Sequence, residues 1–260
     1  MKLSGQILAN IDPEIFRQLR EITPRVAKKD VNVWVNDSET ANRLNWIDLP
    51  TESRDLLPEL DALSAWARSN GLTQIVLCGM GGSSLAPEVI ASTYRKSLTT
   101  LDSTDPGQIL NSIPSDLSKA VVVVGSKSGT TIETLTQFEF YINIFKEADL
   151  NPIQHMVIIT DLGTPLDIRA RKEGYKVVNA DPNVGGRFSA LSAFGLVPAA
   201  LIGVDISVLL DDAEKLSLIL SSKESPAIEI AACLYSLTDQ IINFCDKGSA
   251  VPGLSNWIEQ

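Results

Sequence analysis

Three short segments of this 260-residue chain concentrate groups suited to holding an anion. The first is Gly79-Met80-Gly81-Gly82-Ser83-Ser84, between an apolar run and a helical pattern. Glycines let a backbone approach a ligand closely. A following helix offers unpaired N–H groups and the positive end of its dipole. A tight strand-to-helix turn with an ordinary serine cap accounts for the same residues equally well. The second is Ser126-Lys127-Ser128-Gly129-Thr130-Thr131, which packs four hydroxyls and one ammonium into six residues. Such donors at a helix start suit a phosphate dianion. The GxxxxGK[ST] spacing of a nucleotide-binding P-loop is absent. Thr130 and Glu133 also fit a helix capping box, but that reading leaves Ser126, Lys127 and Ser128 without a purpose. The third is Asn183-Val184-Gly185-Gly186-Arg187-Phe188-Ser189. Its arginine is a permanent cation able to stabilise charge developing on an oxyanion. The alternative is a helix start capped by Ser189, with Arg187 as a surface or ion-pairing residue.

The elements around these segments predict where they meet. Apolar runs at 73–79, 98–104, 119–126, 155–161 and 175–181 read as strands, and helical patterns separate them. Apolar strands alternating with helices form a mostly parallel sheet with right-handed crossovers, covered on both faces. All three loops follow strands, so they gather at the carboxyl edge, where such sheets bind ligands. Residues 1–70 read as helix and loop, and 71–188 as the α/β unit. Residues 189–260 read as helices: one from Ser189 bent at Pro198, a second near 206–222 and a third near 225–245. Their apolar faces are expected to form an exposed patch near residues 205–248.

Composition narrows the ligand class. A net charge of -10 disfavours nucleic acid and anionic membranes as partners. Local donors must therefore hold any anionic substrate. The pattern of a dinucleotide site, GxGxxG with a downstream acid, is absent, which points to a small phosphorylated metabolite. Cys78, Cys233 and Cys245 lack CxxC spacing and read as small buried hydrophobes in a reducing compartment. A lone His155 cannot make a metal cluster and reads as structural or surface. No apolar run reaches membrane-span length, and the N-terminus has no signal-peptide core, so a cytoplasmic protein is expected.

The segments GMGGSSLAP, SKSGTTIET and VGGRFSALSAFGL resemble, in order and spacing, those of glucose-6-phosphate isomerases. The likeness is strongest over about residues 70–205. The DLP…DLLPELDAL and PGLSNWIEQ stretches resemble the actinobacterial branch, found alone or fused to transaldolase. The resemblance implies a doubly wound, five-stranded, mostly parallel α/β sheet of the sugar isomerase (SIS) type, with extra N- and C-terminal helices. Residues 189–260 would then lead into an incomplete second domain of that type. Gly82 and Ser83 would contact the sugar. Ser126, Lys127, Ser128 and Thr131 would hold the 6-phosphate through hydroxyls and backbone N–H groups. Arg187 would stabilise a cis-enediolate. Gly129, where many relatives carry a bulkier residue, would loosen its loop.

The implied reaction is glucose 6-phosphate to fructose 6-phosphate interconversion, in glycolysis and gluconeogenesis, without cofactor or metal, by a homodimer when full length. The family's catalytic glutamate, histidine and lysine match no residue here, because the chain is expected to stop just before that glutamate. Glu259 is not assigned as the base. Binding without turnover is therefore expected of these 260 residues. The alternative function is a regulatory SIS module that binds a sugar phosphate and has no chemistry.

Overall fold

The computed structural model describes residues 11–34, 41–237, 251 and 253–259. Helix α1 covers Pro13–Ala27, α2 Leu49–Glu52 and α3 Leu57–Ser69. Strands and helices then alternate: β1 Gln74–Gly79, α4 Leu85–Thr93, β2 Thr99–Leu101, α5 Pro106–Ser112, β3 Ala120–Gly125 and α6 Ile132–Glu147. They continue through β4 Met156–Asp161, α7 Pro165–Glu173 and β5 Lys176–Ala180. Among the described residues, four helices follow: α8 Ala193–Leu201, α9 Ile206–Leu220, α10 Ala227–Ser236 and α11 Leu254–Glu259. The second strand is shorter than its apolar run suggests, because only Leu101 of that strand is buried.

All four strand pairings are parallel, in the order β2-β1-β3-β4-β5. The chain leaves β1 toward one edge and returns to β3 on the other side of β1. Loops after β1 and β3 therefore diverge to opposite faces, which opens a crevice at the carboxyl ends of these two strands. Their final residues, Gly79 and Gly125, are register partners at its floor.

The alternating side chains of each strand feed two cores. Ile75, Leu77, Val121, Val123, Val157 and Ile159 pack with Leu60, Leu63, Phe194, Leu196 and Val197 on one face. Val76, Cys78, Val122, Val124, Met156 and Ile158 pack with Phe138, Tyr141, Phe145 and Leu166 on the other. Each fully buried valine of β3 contributes about 1.5–3 kcal/mol relative to an exposed one. His155 lies buried at the start of β4, away from the carboxyl edge. Its Nδ1 is 3.0 Å from the Ala120 carbonyl and its ring stacks on Phe145, so its role is structural.

Beyond the sheet, the single bent helix expected from Ser189 is two elements. A 3-10 segment, Gly186–Leu191, ends at Ser192, whose hydroxyl accepts the Phe194 N–H and starts α8. Pro198 sits within α8. Large apolar side chains are exposed on α9 and α10, among them Leu216, Leu218, Ile219 and Tyr235. The rest of the patch expected up to residue 248, and the third C-terminal helix beyond 237, lie outside the described residues. No helix among the described residues is long and apolar enough to cross a membrane.

Candidate functional site

The three loops meet at one cavity of about 690 Å³. Gly82, Ser83, Ser126, Lys127, Ser128, Thr131 and Arg187 all line it. It is also lined by Arg43, Thr134 and Asp161, which the sequence reading did not single out.

The β3 loop is shaped largely by its own hydrogen bonds. The Gly129 N–H donates to the Ser126 carbonyl at 3.2 Å, and the Ser126 hydroxyl donates to Thr131 Oγ1 at 3.1 Å. The Thr130 N–H and hydroxyl both donate to Ser128 Oγ, at 3.2 and 2.9 Å. The capping box is not formed: Thr131, not Thr130, is the residue before α6, and its side chain makes no capping bond. Thr130 is held back by Ser128 instead. The first-turn N–H groups of α6 have no acceptor within the helix, and this end of the helix borders the cavity through Thr131 and Thr134. Thr134 Oγ1 is buried without a hydrogen-bond partner among the described residues. One signal for Thr134 was present in the sequence, since it lies one helical turn beyond Thr131.

Gly129 does not loosen this loop. It has a φ of +66°, and a Cβ there would lie 2.7 Å from Thr164 Oγ1. A glycine satisfies both the left-handed backbone and the close approach to the β4 turn.

The β1 loop and the arginine segment interlock. A Cβ on Gly82 would lie 2.3 Å from the Gly186 carbonyl oxygen, so glycine permits this contact. Ser189 is not a helix cap: its hydroxyl donates to the Gly186 carbonyl at 2.6 Å and braces the turn that carries Arg187. Ser84 is buried and donates to the Gly81 carbonyl at 2.9 Å. From the N-terminal region, Leu44 forms an antiparallel bridge with Val184, and Trp46 stacks on Phe188 at 5.3 Å. Asn45 Nδ2 donates to Asp181 Oδ2 at 2.6 Å. These contacts carry Arg43 to the cavity wall. Arg43 is some 140 residues from Arg187 in the chain, too far for sequence spacing to connect them.

Electrostatically the cavity opposes the acid character of the whole chain. Arg187 has no carboxylate partner among the described residues, while Lys127 Nζ donates to Asp161 Oδ2 at 2.7 Å and to the Asp181 carbonyl at 3.1 Å. Burial pushes the Asp161 carboxyl above the ordinary carboxylate range, and the Lys127 ammonium works against that rise. The cavity thus presents hydroxyls, backbone donors and arginine to a ligand, with one lysine already paired. Such a set has donors of the kind that can hold a phosphate group and stabilise an oxyanion near Arg187.

Comparison with known proteins identifies the family. The family model described as phosphoglucose isomerase matches residues 51–244. A glucose-6-phosphate isomerase of Thermus thermophilus is 35% identical over 68% of this chain and 43% of its own length. The probable glucose-6-phosphate isomerase of Methanococcus maripaludis is 32% identical over 70% of this chain and 42% of its own length. The chain thus spans less than half the length of these curated relatives. The crystal structure of a Thermus thermophilus protein described as hypothetical superposes with a TM-score of 0.74 at 29% identity, covering 90% of this chain and 57% of that one. A glucose-6-phosphate isomerase structure from Chlamydia trachomatis shares the fold, with a TM-score of 0.62 at 22% identity, over 86% of this chain and 48% of that one. With the three loops that line the cavity inside the matched segment, the chain belongs to the phosphoglucose isomerase family.

Proposed function

We propose that the cavity binds glucose 6-phosphate and fructose 6-phosphate and forms half of the machinery that interconverts them through a cis-enediolate. The observation that carries this reading is the convergence of the β3 hydroxyl loop, the β1 glycine-serine loop and Arg187 on one cavity. Ser126, Ser128, Thr131 and the Lys127 backbone hold the 6-phosphate, aided by the α6 N-terminus. Gly82 and Ser83 face the sugar. Arg187 stabilises the negative charge that builds on the enediolate oxygen. Isomerisation also needs a base at the carbonyl carbons. Asp161 is the one carboxylate among the described lining residues, and Lys127 holds it. The proton-transfer groups are therefore assigned to residues other than this lining, and the working enzyme to a cytoplasmic homodimer.

The test joins calorimetric titration with fructose 6-phosphate to a coupled isomerase assay on this chain. Binding without turnover is expected. Replacing Ser128 and Thr131 together by alanine should weaken binding about tenfold or more, through lost charge-assisted hydrogen bonds. No binding by the parent chain would refute the proposal, and turnover would show that these residues include the base. Binding that never yields turnover, even in a full-length protein, would favour a regulatory sugar-phosphate module.

A further inference from the structure

We propose that Asp161 is a positioning residue of the anion site, which holds the Lys127 ammonium against the cavity wall so that hydroxyl and backbone donors grip the phosphate. The inference rests on reading the cavity as a sugar-phosphate site. A lysine inside a hydroxyl-rich anion loop would ordinarily aim its charge at the ligand. Here two of its three donor hydrogens are engaged, by Asp161 Oδ2 at 2.7 Å and the Asp181 carbonyl at 3.1 Å. The backbone reinforces the pair, because the Asp161 N–H donates to the Lys127 carbonyl at 3.2 Å. Both side chains are mostly buried, at 20% and 15% exposure, so solvent screens them weakly. The Asp181 carboxylate is not the partner: it accepts from Asn45 Nδ2 at 2.6 Å and from the Asn183 N–H at 2.7 Å.

The pair is a poor stabiliser of the fold. Asp161 Oδ1 is buried with no hydrogen bond among the described residues, and a buried ion pair with unmet acceptors recovers little of its desolvation cost. Its placement makes more sense as ligand chemistry. A carboxylate beside the phosphate loop subtracts one positive charge from the cavity and opposes an incoming dianion. Binding of the phosphate is thereby kept loose, which protects release of the ligand.

Asp161→Asn removes the charge at nearly constant shape. Fructose 6-phosphate, titrated calorimetrically, should then bind about fivefold more tightly, with a steeper loss of affinity as salt is raised. Adding Lys127→Met to that variant should abolish the gain, since the freed ammonium is its source. Unchanged or weaker binding by a folded Asp161→Asn chain would overturn the proposal. Should that variant fail to fold, the unmodified chain answers the same question. The Lys127 ammonium nitrogen resonance should hold its position on saturation with inorganic phosphate, and a large shift would mean that the ligand recruits the ammonium. A parent chain that binds inorganic phosphate but not fructose 6-phosphate would defeat the proposed function alone. One that binds neither would defeat both.

Discussion

The β3 loop and the arginine segment reach the same cavity by different means. In the β3 loop, Ser126, Ser128, Gly129, Thr130 and Thr131 bond mainly to one another. The arginine segment depends on residues far away in sequence. Gly82 admits the Gly186 backbone, Trp46 covers Phe188, and the Ser53 hydroxyl donates to the Leu191 carbonyl. A donor set made largely within six residues depends less on the rest of the fold, although Asp161 and Thr164 still back it. One placed by remote contacts fails when any of them is lost, because the separate supports act as a coupled unit.

The largest expected effect comes from attacking the arginine segment at a distance. A Cβ on Gly195 would lie 1.8 Å from the Ala190 carbonyl oxygen, inside α8 and outside the cavity. Gly195→Ala should destabilise the fold by about 3 kcal/mol or more, read by denaturant unfolding. In the fraction that folds, inorganic phosphate should still bind at the β3 loop, whereas further loss on Arg187→Ala should be small. Equal damage to phosphate binding would mean that the two loops are not independent.

An intermediate effect should come from within the β3 loop. Gly129→Ala forces a side chain into left-handed backbone at φ +66° and against Thr164. A loss of about 2 kcal/mol is expected in thermal unfolding, together with weaker phosphate binding. If stability and affinity are both unchanged, the loop is less self-determined than its hydrogen bonds imply.

The smallest effect tests what backs Gly129. Buried Asp167 accepts the Gly163 N–H at 3.0 Å, Asn179 Nδ2 at 3.0 Å and Arg171 Nε at 2.9 Å, bracing the turn that holds Thr164. The Asn179 amide foremost, then the Gly163 N–H and Arg171, hold this carboxyl below its ordinary 3.8, against the opposing pull of burial. A depressed pKa stabilises the fold above the unfolded value, and the gain disappears as pH falls through the folded one. Asp167→Asn should therefore cost about 1 kcal/mol near neutrality, and the difference from the parent chain should shrink below about pH 4. Chemical unfolding across that range reads the convergence, and a gap that does not change with pH would assign the effect to packing.

Much of the architecture was legible before any coordinates. Five apolar runs separated by helical patterns mark the parallel sheet, and the loop after each strand must lie at its carboxyl edge. The readings that needed correction share a cause. Thr130 and Glu133 have the spacing of a capping box, yet Ser128 bonds Thr130 first, so a competing local hydrogen bond redirects the cap. Ser189 was a plausible cap, but the Gly186 carbonyl takes its hydroxyl and Ser192 starts α8 instead. Gly129 reads as flexible when alone and proves confined once Thr164 is beside it.

What the chain's residues decided without further help is the kind of chemistry and its locality: hydroxyls and glycines at helix starts, an arginine after the fifth strand, and strands that must be buried on both faces. Hydrophobic period and local hydrogen bonding act over a few residues, so they can be read in order. Tertiary structure alone determined that Arg43 joins the cavity, that Asp161 takes the Lys127 ammonium, and that Gly82 must admit Gly186. Those outcomes depend on close packing and on charges brought together from distant parts of the chain, and no spacing along the sequence encodes them.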